Sequence, residues 1–359
     1  MQHHLNVSLR EKIGQMLIMG FDGKHVTEHS LIVKQMADCY LGGVILFDYD
    51  VPSKQFDKNI ESPSQVQALN AALQEYNQVL NHQHQRPAMP LLISVDYEGG
   101  AVDRLKARYG FPETIAANVM GQMQDEEARR ELSVMATTLH DHGFNLSFAP
   151  VLDVNVNPEN PILGQLGRCF SDDASHVARF GRLCAQTLLA KGVQPVYKHF
   201  PGHGSSQADS HLGFVDVTDT WQAIELEPYR LLFREPELCH MIMTAHIVNR
   251  KLDDSGLPAT LSYKVLTELL RHEMHYDGII MTDDMQMKAI SDQFGLEDSL
   301  RLALNAGADM FIFGNQLADI PQDPREVIDL IEKNVHSGAI SEQRINESYA
   351  RIVAFKARC

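Results

Sequence analysis

The sequence lacks the features that mark several large classes of protein. Its five cysteines include no Cys-x-x-Cys pair, and no apolar run reaches the length of a membrane span. An odd number of widely spaced cysteines favours reduced thiols over a disulfide framework or a zinc cage. The first residues, Met1-Gln-His-His, lack a basic segment followed by an apolar core. We therefore expect a cytoplasmic protein without a membrane partner.

The chain also has no excess of positive charge. Lysine and arginine number 31 against 47 aspartate and glutamate residues, which gives a net charge of −16, and no basic cluster interrupts the sequence. This balance argues against nucleic acid as a partner. Hydrophobic residues make up 44% of the 359, enough for a sizeable core, and no repeat, low-complexity tract or linker divides them. We expect one domain over residues 1–359, with no second domain, and a monomer.

Short apolar runs alternate with amphipathic stretches along the chain. The runs are nearly continuous in apolar residues, as expected for parallel strands that are covered on both faces. The eight strand candidates are Met16–Phe21, Gly43–Phe47, Leu91–Asp96, Phe144–Pro150, Val193–Lys198, Met241–His246, Gly278–Thr282 and Met310–Gly314. Eight alternations of strand and helix are typical of a barrel, so we predict an α/β fold, a single-domain (β/α)8 TIM-type barrel. A doubly wound open sheet is the alternative, because local alternation does not report closure.

Helical patterns fill the spaces between these runs. They are Pro63–Leu80, Glu126–His142, Ser175–Lys191, Trp221–Arg234, Tyr263–His275 and Glu297–Ala306, followed by Arg325–His336 and Ser341–Lys356. One segment, Asp48–Ser62, is a polar insertion after the second strand for which the pattern predicts no regular structure.

Titratable side chains are concentrated where the predicted strands end. They are Asp96, Glu98, Asp153, Lys198, His199, His246, Asp283 and Asp284. Taken singly, each is equally well explained as a buried polar side chain that forms hydrogen bonds to neighbouring loops. Charged groups at so many successive strand ends are harder to explain by structure alone, because buried charges are costly unless they are paired or used. In a barrel, the carboxyl ends of the strands form the active site.

The segment from Lys198 to His211 holds a lysine, three histidines and an aspartate within fourteen residues. Asp209 and His211 lie two apart, so in an extended segment they face the same side and the carboxylate can bond one imidazole nitrogen. Such a pair is a tunable acid and base. Metal binding by the histidines is the alternative, but the chain has no His-Glu-x-x-His. We expect no metal and no other cofactor.

Two adjacent carboxylates, Asp283 and Asp284, close the seventh predicted strand. A carboxylate at this position is suited to act as a nucleophile, a general base or a metal ligand. If the strand continues, the two side chains point in opposite directions, so one of them is expected to be structural.

Several segments together resemble the bacterial β-N-acetylglucosaminidases of glycoside hydrolase family 3. The most specific is Lys-His-Phe-Pro-Gly-His-Gly from Lys198, followed by Asp209-Ser-His211. The other matching segments are Val95–Arg104, Phe148–Asp153, Gly167–Phe170, Met243–His246 and Met281–Met285. The departures from the pattern are Tyr97 and Ala101 within the first of these segments, and the insertion Asp48–Ser62.

The resemblance implies a role for each matching residue. Asp283 is the nucleophile, and His211, held by Asp209, is the general acid and then the base. The residues implied to hold the sugar hydroxyls and the N-acetyl group are Asp96, Arg104, Arg168, Lys198 and His199. The implied reaction is retaining hydrolysis of terminal β-linked N-acetylglucosamine. The implied partner is a small carbohydrate, an N-acetylglucosaminyl-anhydro-N-acetylmuramyl peptide from cytoplasmic peptidoglycan recycling.

Three other functions remain open. A β-glucosidase or xylosidase of the same family normally uses a carboxylate as the acid and base, and the Asp-Ser-His motif argues against it. A β-N-acetylglucosaminide phosphorylase is compatible with a histidine acid and base, which does not repel phosphate. A sugar-binding barrel without catalysis requires the nucleophile or the histidine to be absent, and both are present.

Overall fold

A computed structural model of the chain, which describes residues 7–56, 58–209, 213–238, 240–317 and 320–359, contains a sheet of nine parallel strands curled nearly closed into a barrel. The strands in chain order are β1 Leu17–Gly20, β2 Gly43–Leu46, β3 Leu92–Val95, β4 Tyr97–Gly99, β5 Val102–Asp103, β6 Leu146–Ser147, β7 Gln194–Pro195, β8 Tyr197–Phe200, β9 Met241–Thr244, β10 Ile279–Asp284 and β11 Met310–Phe313. The order in the sheet is β7-β6-β3-β2-β1-β11-β10-β9-β8, and β4 and β5 form a separate antiparallel hairpin.

Closure of the barrel depends on the two strands at the sheet edges. β7 and β8 are halves of one extended run that is interrupted at Val196. β7 pairs with β6 through Leu146 and Gln194, whereas β8 pairs with β9 through Tyr197 and Ile242. Both edges of the sheet therefore belong to the same stretch of chain, which leaves eight strand positions around the barrel. The predicted (β/α)8 barrel is confirmed, and each predicted strand run overlaps an observed strand.

The helices surround the barrel, and their bounds agree with most of the predicted patterns. They are α1 Leu9–Gln15, α2 Leu31–Cys39, α3 Pro63–Gln83, α4 Ala117–Met120, α5 Asp125–Asp141, α6 Ala174–Leu189, α7 Glu227–Leu232, α8 Lys288–Ser291, α9 Leu296–Ala306, α10 Pro324–His336 and α11 Glu342–Lys356. The pattern at Tyr263–His275 folds as a π-helix, Lys264–Glu273. That at Trp221–Arg234 folds as a 3₁₀ turn followed by α7. No helix in the described part of the chain has the length and apolarity needed to span a membrane.

The β4–β5 hairpin was not predicted, and it depends on two glycines. Gly99 and Gly100 have φ angles of +94° and +62°, a region that L side chains rarely adopt. A Cβ on Gly99 would lie 2.3 Å from the carbonyl oxygen of Ile115, and a Cβ on Gly100 would lie 2.6 Å from the Cβ of Ala116. Only glycine fits both positions. The hairpin reverses the chain directly after β3.

The described cysteines are free thiols. Cys39, Cys169 and Cys184 are buried, and Cys359 is exposed. Burial raises the pKa of the Cys39 and Cys184 thiols to about 12, so both stay protonated at neutral pH. They behave as small apolar side chains in the packing of the barrel.

At the end of the barrel where the strands begin, one buried carboxylate binds three arginines. Asp309, just before β11, accepts hydrogen bonds from Arg271 at 2.6 Å, Arg344 at 2.5 Å and Arg351 at 3.2 Å. Its Oδ2 also accepts from the backbone N–H of Ile280 at 3.0 Å. Burial alone would raise the pKa of this carboxyl, but the three guanidinium groups lower it. The π-helix and α11 are thereby fixed to the base of the barrel.

A buried lysine of α11 lies at the same end of the barrel. Lys356 Nζ donates to Gln15 Oε1 at 2.8 Å and to the Gly42 carbonyl at 2.7 Å. Burial lowers the pKa of this lysine to about 7. The last helix therefore contacts the chain just before both β1 and β2.

We predict that Asp309→Asn destabilises the fold by about 3 to 5 kcal/mol, because it leaves three guanidinium groups around a neutral amide. Urea unfolding followed by circular dichroism measures the loss. The matched control is Asp298→Asn, since Asp298 is exposed and pairs with Arg301 at 2.9 Å on α9. That control should cost less than about 0.5 kcal/mol. Equal effects of the two changes would contradict a structural role for the cluster.

Candidate active site

A pocket opens at the carboxyl ends of the barrel strands, the end that carries the active site in barrels of this type. Six of the eight predicted site residues line it: Asp96, Arg104, Arg168, Lys198, His199 and Asp283. Asp209 is half-buried and is not among the residues that line the pocket. His211 lies outside the described residues. The structure therefore brings together the predicted sugar-binding residues and the predicted nucleophile.

Four charged side chains form a buried network in the pocket. Lys198 Nζ donates to Asp96 Oδ1 at 2.9 Å and pairs with Glu98 Oε1 at 2.6 Å. Arg168 donates to both oxygens of Glu98, from Nε at 2.7 Å and from Nη2 at 2.8 Å. Two cations thus face two carboxylates, so the charges balance within the network.

The network sets the ionisation of its members. Burial by itself would raise the pKa of the Glu98 carboxyl, but Arg168 and Lys198 hold that pKa well below its usual range. Burial would lower the pKa of Lys198, yet the carboxylates of Asp96 and Glu98 raise it. Glu98 is therefore an anion and Lys198 a cation at neutral pH, and Glu98 carries no proton to transfer.

Arg104 contacts the network only loosely. Its guanidinium lies 3.9 Å from Asp96 Oδ2 and 3.7 Å from Asp48 Oδ1, beyond hydrogen-bond distance in both cases. Its Nε atom is buried and has no hydrogen-bond partner among the described residues. Its guanidinium is therefore held by fewer close contacts than that of Arg168.

His199 is held from behind by Asp153. Asp153 Oδ2 accepts from His199 Nδ1 at 2.6 Å and from its backbone N–H at 3.3 Å. The other oxygen, Oδ1, accepts from the backbone N–H of His203 at 2.8 Å. Burial would raise the pKa of Asp153, but the neighbouring His199 lowers it. With Nδ1 engaged, Nε2 is the nitrogen of His199 that remains for a ligand.

The stem of the histidine-rich loop is fixed over residues 201–206. Trp221 Nε1 donates to the Pro201 carbonyl at 3.2 Å, and Asn160 Nδ2 donates to the His203 carbonyl at 2.9 Å. Asn157 Nδ2 donates to the Ser206 carbonyl at 2.9 Å. Asp209 follows three residues after this fixed stem, so its position is constrained by the barrel.

Two titratable groups in and under the stem have shifted pKa values. Burial lowers the pKa of His203, which lines the pocket, to about 4, so this imidazole is neutral at physiological pH. Burial raises the pKa of Glu225 to about 7, and its Oε2 accepts from the backbone N–H of Ser205 at 3.3 Å. Neither group supplies a permanent charge to the pocket.

The carboxylates that end β10 both line the pocket. Strict alternation fails here because the pairing of β10 with β11 shifts register between Met281 and Asp284. Asp283 Oδ1 accepts from the backbone N–H of Asp284 at 2.8 Å. Asp284 Oδ1 accepts from the backbone N–H of Gln286 at 3.0 Å, which shapes the turn that follows the strand. Each carboxylate accepts one backbone N–H, so the prediction that one of the pair has a structural role stays a prediction.

His246 supports the end of β10. Its Nε2 donates to the backbone carbonyl of Asp284 at 3.0 Å, and its Nδ1 is 2.7 Å from Thr260 Oγ1. The Thr260 hydroxyl in turn is 2.8 Å from Thr244 Oγ1. This buried chain of hydrogen bonds fixes the backbone beside Asp283. Sequence reasoning placed His246 at a strand end but gave it no role.

Sequence reasoning also left Glu98 out of the sugar-binding set. Its position between Asp96 and the two glycines of the hairpin was visible in the sequence. Its bidentate contact with Arg168, which lies 70 residues further along the chain, was not. Phe47, directly after β2, lines the pocket as well and had only an apolar strand pattern as its signal.

The chain is similar to known glycosidases over nearly its whole length. Residues 8–355 match the family model described as the glycosyl hydrolase family 3 N terminal domain. Beta-hexosaminidase A of Pseudoalteromonas piscicida is 32% identical over 337 residues, which cover 89% of this chain and 53% of that protein. The beta-hexosaminidase of Methylobacillus flagellatus is 33% identical over 294 residues, 79% of this chain and 76% of that protein.

A solved structure gives the same relationship. The family 3 β-N-acetylglucosaminidase from Paenibacillus sp. str. FPU-7 matches with a TM-score of 0.84 and 33% sequence identity, over 98% of this chain and 62% of that chain. The chain thus spans about half the length of the Pseudoalteromonas relative and less than two thirds of the Paenibacillus chain. The match of the family model to almost every residue and the shared barrel lead to one conclusion: this chain belongs to glycosyl hydrolase family 3.

Proposed function

We propose that this protein is a retaining exo-β-N-acetylglucosaminidase. One observation carries the proposal. Asp283, a carboxylate at the end of a barrel strand, lines the same pocket as the charge-balanced group of Asp96, Glu98, Arg168 and Lys198. The relatives of this chain are named beta-hexosaminidases. A neutral sugar suits such a pocket, because its hydroxyls accept from the cations and donate to the carboxylates without adding charge.

The sugar is held by groups already fixed in place. Lys198, Arg168 and His199 are buried, and their partners restrict their rotation. Side chains ordered in advance lose little entropy when a ligand binds, and they orient the ring for attack. We assign the guanidinium of Arg104, which lines the pocket and has no close ion pair, to the substrate oxygens as well.

The reaction proceeds in two displacements. Asp283 attacks the anomeric carbon as the bond to the leaving oxygen breaks, and an ester joins the sugar to the enzyme. Water then attacks the same carbon from the other face, gives a proton to His211 and releases Asp283 as a carboxylate. Two inversions at one carbon restore the β configuration.

The proton for the leaving oxygen comes from His211 in this proposal. Glu98 is held as an anion and His203 as a neutral imidazole with a pKa of about 4, so neither suits the acid role at neutral pH. A histidinium beside the carboxylate of Asp209 is a competent acid, since a nearby negative charge favours the protonated ring. The stem that precedes Asp209 is fixed at the barrel mouth by hydrogen bonds from Trp221 and Asn160, which supports this assignment.

We further propose that the substrates are N-acetylglucosaminyl-anhydro-N-acetylmuramyl peptides, released when peptidoglycan is recycled, and that the enzyme works in the cytoplasm. Free, buried thiols with raised pKa values suit a reducing compartment.

The first test is substrate preference. We expect kcat/KM for an aryl β-N-acetylglucosaminide to exceed that for the matching β-glucoside by about 100-fold or more, because the amide forms hydrogen bonds that a hydroxyl cannot copy. Comparable constants would contradict the proposal. A sugar 1-phosphate formed in phosphate buffer would reassign the enzyme as a phosphorylase.

The second test concerns Asp283. Asp283→Ala should lower kcat by about four orders of magnitude because the covalent step is lost, and the thermal midpoint should change little. A 5-fluoro derivative of N-acetylglucosamine with a good leaving group should label the wild-type enzyme, and fragmentation of the labelled peptide should locate the sugar on Asp283. Label on Asp284 would overturn the assignment.

The third test separates proton transfer from structure. His211→Ala should slow glycosylation by about 10²- to 10⁴-fold for sugar or alkyl aglycones and far less for a dinitrophenyl aglycone, which departs without protonation. Asp209→Ala should show the same trend with smaller losses. His272→Ala, an exposed histidine on the π-helix, is the control. Equal losses for all leaving groups would mean that His211 is structural.

A further inference from the structure

The chain segment that carries Asp209 and His211 leaves the barrel after β8 and comes back to its own stem at Trp221. Its outgoing side is that stem, residues 201–206, and its returning side leads into the 3₁₀ turn Ala223–Leu226. The outgoing and returning sides are joined by hydrogen bonds, so the segment is a loop that is tied together at its base.

Two side chains of the returning side hold the stem. Trp221 Nε1 donates to the Pro201 carbonyl at 3.2 Å, and Glu225 Oε2 accepts from the backbone N–H of Ser205 at 3.3 Å. The other oxygen of Glu225 accepts from the backbone N–H of Gln222 at 3.2 Å, which fixes the carboxyl group within its own turn. We call Trp221 and Glu225 the clasp.

The clasp is buried against the stem. Glu225 has no exposed surface, and Trp221 is 9% exposed. The stem approaches so closely that a Cβ on Gly202 would lie 2.5 Å from the Cβ of Glu225, and the φ angle of Gly202 is +111°. If the stem moved away, a buried carboxyl group and an indole N–H would lose their partners, which is costly. The stem and the clasp therefore hold each other in place.

The stem in turn fixes the chain that leads to Asp209. Ser206 Oγ donates to the Ala208 carbonyl at 2.8 Å and accepts from the Ala208 backbone N–H at 3.3 Å. Asn157 Nδ2 donates to the Ser206 carbonyl at 2.9 Å. Because Ala208 directly precedes Asp209, a displacement of the stem at Ser205 displaces Asp209 with it.

Glu225 is the titratable member of the clasp. Burial raises the pKa of its carboxyl to about 7. The groups that face it from other elements are the Ser205 hydroxyl, the Asp153 carboxylate and the Cys169 thiol, and none of these three is a cation that would stabilise a buried anion. A solvated glutamate loses its proton at a lower pH than the buried one. The clasp is therefore most stable in acid, and its stability falls as the pH rises from about 4.5 to about 7.

We propose that the clasp positions the Asp209–His211 pair for proton transfer, so that Trp221 and Glu225 are positioning residues of the reaction. This inference rests on the proposed function, in which His211 protonates the leaving oxygen. Neither clasp residue lines the pocket, so both act through the stem. Proton transfer requires a donor within hydrogen-bond reach of the leaving oxygen, and it slows when the donor spreads over several positions. Asp283 is fixed by the backbone of β10 instead, so its attack is affected less.

The first test uses the leaving group to separate positioning from folding. Glu225→Ala removes the acceptor for Ser205 and should lower kcat/KM by about 10- to 100-fold for an alkyl β-N-acetylglucosaminide, but by less than about threefold for the dinitrophenyl glycoside. Glu225→Gln keeps a neutral acceptor and should restore most of the rate. Trp221→Phe should show the same pattern with a smaller loss. Glu227→Ala is the matched control, because Glu227 is a partly exposed glutamate of α7 that pairs with Arg230 at 2.8 Å, and it should change neither rate.

The second test follows the clasp without catalysis. Trp221 is the only tryptophan of the chain, so the intrinsic fluorescence reports on its surroundings. In the wild-type protein we expect the emission to change with pH, with a midpoint near pH 7, as Glu225 ionises. Glu225→Gln should abolish this change, whereas Glu227→Gln should keep it.

The outcomes separate the inference from the proposed function. If the wild-type enzyme cleaves both glycosides and Glu225→Ala costs the same factor for each, the clasp serves the fold alone and the inference is overturned. A pH-dependent emission that survives Glu225→Gln would also overturn it, because the two side chains would not act as one unit. If Glu225→Ala does not fold, Trp221→Phe provides the same comparison of leaving groups. If the wild-type enzyme cleaves no N-acetylglucosaminide, the proposed function fails, and the inference that rests on it fails too.

Discussion

The buried ion network of Asp96, Glu98, Arg168 and Lys198 is the constraint around which the barrel mouth is built. Its members come from four separate places: the end of β3, the β4–β5 hairpin, the loop after β6, and β8. Because a buried charge without its partner costs several kcal/mol, these four segments must meet for the fold to be stable. The hairpin, which depends on two glycines, places Glu98 within hydrogen-bond distance of Arg168.

The network also limits the chemistry of the pocket. Because the charges of the network balance one another, a neutral ligand can bind without leaving an uncompensated charge. The cations remain donors of strong hydrogen bonds. A carboxylate bound to both Arg168 and Lys198 cannot double as a proton donor. The proposed mechanism therefore assigns proton transfer to a different pair, Asp209 and His211.

The fold was accessible from sequence to the extent that its signals are local. Continuous apolar runs marked every barrel strand, and the long amphipathic patterns marked α3, α5, α6, α10 and α11. Short helices such as α2 were missed, since nine residues give few turns of periodicity. Closure was not derivable, because it depends on β7 and β8 pairing with partners on opposite sides. The family resemblance is confirmed by the match over residues 8–355.

The candidate site was also predictable from sequence only where its signals are local. Residues carried by specific motifs, such as Lys198 and Asp283, were located by the sequence and share one pocket. The contacts between distant motifs were not visible, and neither was the hydrogen bond of 2.6 Å from Lys58 Nζ, in the insertion, to the Asn315 carbonyl after β11. The register shift near Asp284 was not predicted either, because a β-bulge does not change the apolar pattern of the sequence. The roles of Asp209 and His211 stay predictions.

The contacts of α11 at the base of the barrel have a consequence for biosynthesis. Asp309 receives two of its three arginines from α11, and the chain before β1 and β2 receives Lys356 from the same helix. During synthesis, α11 and its basic side chains leave the ribosome after all the barrel strands. Until then, a buried carboxylate near β11 lacks two partners and the base of the barrel stays open. The ion pairs at the base of the barrel are therefore completed last during synthesis, after every strand that they stabilise.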